Sequence, residues 1–130
     1  MNSQLTVYKA SAGSGKTFTL AREYMTLVIA NPHSYRTILA VTFTNKATEE
    51  MKTRILSQLY GIAHELEESH GYLEQIKKAL PHLTQEQIEK NAGTALSLLI
   101  HNYNYFRVET IDTFFQSVLR NLARELDLTA

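Results

Sequence analysis

Apolar residues recur along this chain with two different periods, and the switches between them set out its elements in order. Leu5-Thr6-Val7-Tyr8 alternates apolar with polar and is rich in β-formers, which predicts a short strand. Leu20, Tyr24, Leu27 and Val28 fall at helical spacing and predict a helix ending near Asn31-Pro32. Thr37-Ile38-Leu39-Ala40-Val41-Thr42-Phe43 is a nearly continuous apolar run of strand length, the pattern of a strand covered on both faces. Ala47, Met51, Ile55, Leu59, Ile62 and Leu66 recur three or four apart and make one face of a long helix, with Thr44 or Asn45 as its N-cap. Helical patterning resumes after Gly71 and breaks at Pro81. Thr84-Gln85-Glu86-Gln87 matches a capping box, with Ile88, Ala92, Ala95 and Leu99 as the stripe of the helix behind it. Tyr105-Phe106-Arg107-Val108 predicts a third strand, and Phe115, Val118, Leu119, Leu122 and Leu126 form the apolar face of a last helix.

Strands alternating with helices predict an α/β fold with right-handed crossovers and a parallel sheet. The stretch 72–102 is then an all-helical excursion from that sheet. The sequence closes shortly after the last apolar helix position, so the expectation is the incomplete N-terminal part of a domain spanning 1–130. Composition narrows the setting. The 130 residues suit one domain, and 44% hydrophobic with 20% charged is ordinary for a soluble globular chain. No apolar run approaches the ~20 residues of a membrane span, and no secretory leader is recognisable, which makes the cytoplasm the expected location. There is no cysteine, so disulfides and thiolate metal sites are excluded. Thirteen basic residues balance thirteen acidic ones, which argues mildly against a stand-alone nucleic-acid-binding domain. The five histidines show no metal-ligand spacing.

The strongest chemical signal is Ala10-Ser11-Ala12-Gly13-Ser14-Gly15-Lys16-Thr17, a phosphate-binding loop with alanine in place of the first glycine. Gly13 and Gly15 let the backbone curl so that successive N–H groups converge on phosphate oxygens. The helix that starts there adds the positive end of its dipole. Lys16 can place its ammonium between the β- and γ-phosphates, and the Thr17 hydroxyl can bind Mg²⁺. A strand before the motif and a helix after it are read independently, which is the context such a motif requires. The ligands implied are a nucleoside triphosphate, ATP in the first instance, and Mg²⁺. Hydrolysis needs a further acid for the metal. Only Val108-Glu109-Thr110-Ile111-Asp112 comes near to supplying one, on a short strand interrupted by Arg107.

Three segments together resemble a known family. These are Ala10–Thr17 with Phe18-Thr19-Leu20, then Ile38–Ile55 containing Thr42-Phe43-Thr44-Asn45-Lys46-Ala47, then Glu109-Thr110-Ile111-Asp112-Thr113-Phe114-Phe115. They look like motif I, motif Ia and the next DNA-contacting motif of UvrD/Rep-type superfamily 1 helicases, in the family's order. The Ala-Ser-Ala-Gly start and the helical excursion are more similar to the RecB and AddA helicase-nuclease branch. The resemblance implies a P-loop NTPase fold of RecA type, ATP-driven movement along single-stranded DNA in repair or recombination, and partner domains beyond this segment. It implies DNA contacts at Phe43, Thr44, Asn45 and Lys46, where Phe43 can stack on a base and its neighbours can reach phosphate. Phe43 is equally compatible with a place in the sheet core, and Asn45 with helix capping. In the third motif Asp112 and Thr113 stand where the family has His and Ser. An ionised aspartate cannot donate to phosphate, so Asp112 is expected to cap the last helix, leaving Thr110 and Thr113 as phosphate contacts.

Two other functions fit parts of the pattern: a complete small kinase-like enzyme using Asp112 for magnesium, and a non-enzymatic adaptor that keeps the fold. The helicase reading carries a structural expectation of its own. In P-loop ATPases the strand beside the phosphate-loop strand carries the magnesium aspartate. Without that strand the sheet has an open edge and uncovered apolar helix faces, which favour self-association.

Overall fold

The computed structural model describes residues 4–7 and 15–126. Three parallel strands form one sheet in the order β1-β2-β3, with β1 Gln4–Val7, β2 Ile38–Thr42 and β3 Arg107–Thr110. Val7 lies beside Val41, and Thr42 beside Thr110, so the strands end together. Helix α1 (Gly15–Ala30) and a 3-10 turn (Pro32–Thr37) connect the first two strands. Helices α2 (Asn45–Ala63), α3 (His70–Ala79) and α4 (Gln85–His101) connect the second and third, and α5 (Ile111–Leu126) follows. Tyr8 and the loop residues Ala10, Ser11, Ala12, Gly13 and Ser14 lie outside the described residues.

Alternation along the strands sorts the sheet into two faces. Ile38, Ala40 and Val108 point into one core cluster with Leu20, Tyr24 and Val28 of α1, Met51, Ile55 and Leu59 of α2, and Ile88, Ala92, Ala95 and Leu99 of α4. With Tyr72, Leu73 and Ile76 of α3 in the same cluster, all four connecting helices serve this face. Leu39, Val41, Arg107 and Glu109 belong to the opposite face, where α5 alone among the described helices runs close to β2 and β3. The helical excursion does not stand away from the sheet. Helix α4 folds back onto α1 and α2 as a further layer, with Asn91 Nδ2 donating to the Ile29 carbonyl at 2.8 Å. Its capping box forms in both halves: the Gln87 N–H donates to Thr84 Oγ1, and the Thr84 N–H donates to Gln87 Oε1. The Tyr24 hydroxyl is buried in this core without a hydrogen-bond partner among the described residues, and burial pushes its pKa up.

Three element ends differ from the sequence reading. Helix α2 stops at Ala63 and leaves Leu66 exposed, although Leu66 continues the helical stripe. The chain reverses there through Glu65, whose φ of 57° is left-handed. The Leu66 N–H donates to the Gly61 carbonyl at 2.8 Å and the Glu65 N–H to the Ile62 carbonyl at 3.3 Å, the paired bonds of a Schellman cap. A Cβ on Gly61 would run into Ser69 Oγ, so the returning chain needs a glycine at that point. Strand β3 begins at Arg107 because Tyr103–Tyr105 close a 3-10 turn first. Strand β2 ends at Thr42, one residue short of Phe43.

A left-handed residue with a Cβ costs roughly 1–2 kcal/mol, a cost glycine avoids. Glu65→Gly is expected to stabilise the fold by about 1 kcal/mol, read as a higher urea midpoint at unchanged slope. An unchanged midpoint would show that this cap is not under strain.

Candidate nucleotide and nucleic-acid site

The strand ends define the site. Helix α1 opens at Gly15. Lys16 is exposed in its first turn, and Thr17 is 4% exposed. A phosphate group at a helix N-terminus meets free N–H groups and a favourable dipole, so these two residues fit a nucleotide phosphate and its magnesium. The start of α1 is braced from the excursion. The Phe18 ring stacks on the Tyr72 ring of α3 at 4.1 Å, and Arg54 of α2 donates to the Tyr72 hydroxyl at 3.5 Å. Phe18, next to Thr17, is thereby tied to α3. Sequence reasoning had Tyr72 only as the opening of a helical excursion, since its partner is 54 positions away by the numbering.

At the end of β2, two buried threonines hold the turn. Thr42 and Thr48 share a hydroxyl–hydroxyl bond of 2.6 Å, and Thr48 Oγ1 lies 3.2 Å from the Thr44 carbonyl oxygen. Thr42 Oγ1 also lies 3.5 Å from the Glu109 carbonyl oxygen, which joins β2, the first turn of α2 and β3 at one point. Thr44 is the N-cap of α2, its Oγ1 accepting from the Ala47 N–H at 3.0 Å. Asn45 therefore does not cap; it sits in the first turn and is exposed, as is Lys46. Phe43 is 46% exposed, beyond the strand and outside the core.

At the end of β3, Thr110 Oγ1 accepts from the Thr113 N–H at 3.1 Å and lies 3.0 Å from Thr113 Oγ1 as donor. This is the cap expected of Asp112, two residues earlier: Thr110 ends the strand, so its extended backbone already has the geometry a cap needs. Asp112 is an exposed residue of the first turn. Because Thr110 spends its proton on Thr113, the exposed Thr113 hydroxyl keeps its own proton for an outside acceptor. The carboxylate of Glu109 is held by Arg107, whose Nε and Nη2 donate to Oε2 at 3.0 and 2.9 Å. Glu109 and Asp112 both lie at the end of β3, and β2 lies between β3 and β1. The sheet thus brings Phe43, Thr44, Asn45, Lys46, Thr110 and Thr113 to adjacent strand ends. It keeps Glu109 and Asp112, the carboxylates singled out for magnesium, at the end of β3, two strands from β1.

Comparison with known proteins follows the same pattern. The family model for the UvrD/REP helicase N-terminal domain matches residues 1–130. The chain is 31% identical over 126 residues to the RecBCD enzyme subunit RecB of Borreliella burgdorferi, covering 97% of this chain and 10% of that protein. It is 33% identical over 121 residues to an ATP-dependent helicase/nuclease subunit of Thermoanaerobacter sp., 92% of this chain and 8% of that protein. A shorter stretch of 46 residues is 52% identical to the ATP-dependent DNA helicase UvrD1 of Mycobacterium leprae, 35% of this chain and 6% of that protein. The chain therefore spans a tenth or less of the length of these relatives. No solved structure matches it.

The capping assignment is open to direct measurement. Thr110→Val removes the acceptor at the start of α5 and is expected to cost about 1 kcal/mol of stability, whereas Asp112→Ala is expected to change stability by less than half of that. The reverse order in urea melts would return the cap to Asp112.

Proposed function

The chain belongs to the UvrD/REP helicase N-terminal domain family, and we propose that it is the ATP-binding N-terminal portion of an ATP-dependent DNA helicase that moves along single-stranded DNA in repair or recombination. On this reading the sheet is the start of a RecA-like P-loop domain. Ala10, Ser11, Ala12, Gly13, Ser14 and Gly15 wrap the ATP phosphates, Lys16 pairs with the β- and γ-phosphates, and Thr17 holds Mg²⁺. Mg²⁺, when bound, neutralises phosphate charge during transfer. The remaining domains of the enzyme supply the second magnesium acid and the groups that turn ATP hydrolysis into movement. A cytoplasmic setting goes with this. No helix among the described residues is long and apolar enough to cross a membrane.

The observation that carries the DNA half of the reading is the exposure of Phe43, a large apolar ring that the fold leaves uncovered near an exposed lysine, Lys46. Burial would normally claim such a ring; a stacking role for a base explains why it is left out. Asn45, released from capping by Thr44, and the Thr113 hydroxyl are free to donate to phosphate. The kinase-like alternative, with Asp112 as magnesium acid, is disfavoured by the β2 strand that separates Asp112 from β1.

Two substitutions divide the reading. Lys16→Ala is expected to abolish most ATP and ADP binding in calorimetry with Mg²⁺, while Lys46→Ala leaves it close to wild type; equal losses would sink the phosphate-loop assignment. In the intact enzyme, Phe43→Ala is expected to weaken single-stranded DNA binding by about 1–3 kcal/mol with the fold unchanged. Helix α5 generates a further expectation. Phe115, Leu119, Leu122 and Leu126 are each at least half exposed on one face, and β1 pairs with β2 alone among the described residues. Such a chain self-associates at micromolar concentrations and does not turn over ATP by itself. Light scattering is expected to show dimers or larger species that Leu119→Glu with Leu122→Glu converts to monomer. A monomeric wild-type chain hydrolysing ATP at a DNA-stimulated rate would contradict both statements.

A further inference from the structure

The opposite end of the sheet carries a strip of rings and cations that the nucleotide reading does not use. Tyr35 and Arg36 lead into β2, and Tyr103–Phe106 lead into β3. Because the strands are parallel, both segments lie at their N-terminal ends, one strand length, roughly 15 Å, from Phe43. The Arg36 guanidinium carbon stands 4.7 Å from the centre of the Tyr105 ring and 5.7 Å from that of Tyr35. Arg36 Nε donates to the Tyr35 hydroxyl at 3.2 Å, and Tyr35 is buried, so a fixed ring pins the cation. The two amino groups of Arg36 have no hydrogen-bond partner among the described residues. Lys52 Nζ stands 4.9 Å from the Tyr103 ring and 5.8 Å from the Phe106 ring. Tyr103 and Tyr105 nevertheless keep 47% and 45% of their surface exposed.

Charge singles out the same region. The chain is neutral overall, yet there is no acid between Glu23 and Glu49 or between Glu89 and Glu109, the two stretches that build these turns. A guanidinium held flat with its amino groups free is a receptor for an oxyanion. Half-exposed aromatic rings beside cations form a stacking platform that tolerates any base. Oxyanions and planar rings alternate along an unpaired nucleic-acid strand, whereas an acidic peptide offers the first without the second. We propose that this strip is a second contact for single-stranded nucleic acid, in which Tyr103 and Tyr105 stack on bases while Arg36 and Lys52 hold the flanking phosphates. It lies at the end of the sheet remote from Phe43, so a strand bound there follows a different path from one held at the ends of β2 and β3.

The test uses the full chain and a fluorescein-labelled oligothymidylate, with anisotropy measured over a range of salt. Phe43→Ala with Lys46→Ala first silences the other end of the sheet. In that background Tyr103→Ala with Tyr105→Ala is expected to weaken binding about five- to a hundredfold, and Arg36→Gln to reduce the logarithmic salt slope by about one. Arg36 is exposed, so Arg36→Gln decides the matter even where the tyrosine variant melts early. Unchanged affinity and slope in Arg36→Gln would overturn the proposal. So would an aspartate-rich peptide whose binding Arg36→Gln abolishes while oligonucleotide binding stays intact; that outcome makes the strip a protein-docking face. Loss of all oligonucleotide binding in the Phe43 and Lys46 background would also overturn it. Loss of ATP binding in Lys16→Ala bears on the nucleotide site alone, so the two readings fail separately.

Discussion

Parallel strands that run in spatial order β1-β2-β3 can be joined only by crossovers, and right-handed crossovers taken always in the same direction put every connecting helix on one face of the sheet. The rest of this structure depends on that constraint. It gathers α1, α2 and α4 over Ile38, Ala40 and Val108 into a single apolar cluster. It also aligns the strand ends, so the turn after β2 and the cap after β3 emerge side by side. An open parallel sheet offers its ligand sites at those carboxyl ends, which is where the exposed Phe43 and the capping threonines are found.

The same constraint leaves the second face to α5. Its apolar residues are among the most exposed in the chain, and the outer edge of β1 has no neighbour among the described residues. The matches to the relatives cover a tenth or less of their length. The helical excursion has a role in the opposite direction. Through Tyr72 it presses on Phe18 and so fixes the first turn of the phosphate-loop helix.

Polar side chains at the strand ends divide into those the fold consumes and those it releases. Thr44 and Thr110 are consumed as caps, and Thr42 and Thr48 as a buried hydroxyl pair. Asn45, Lys46 and Thr113 are released to the surface by those same bonds. Consumed groups fix the backbone, and released ones are left to face a ligand.

Much of this was readable in the sequence because it is local. The phosphate-loop motif, the capping box of Thr84 and Gln87, and the helical stripes of α1, α2 and α4 each depend on residues within a few turns of one another, and the chain's periodicity records them. The strand order, the end of α2 at a left-handed Glu65, the exposure of Phe43 and the cap at Thr110 were settled by packing between distant segments. Periodicity could not place Leu66, since it continues a helical stripe that the Schellman turn interrupts. Nor could any local pattern join Phe18 to Tyr72, or Arg36 to Tyr105, because each contact links segments far apart in the chain that meet only once the parallel sheet and its crossover helices have packed.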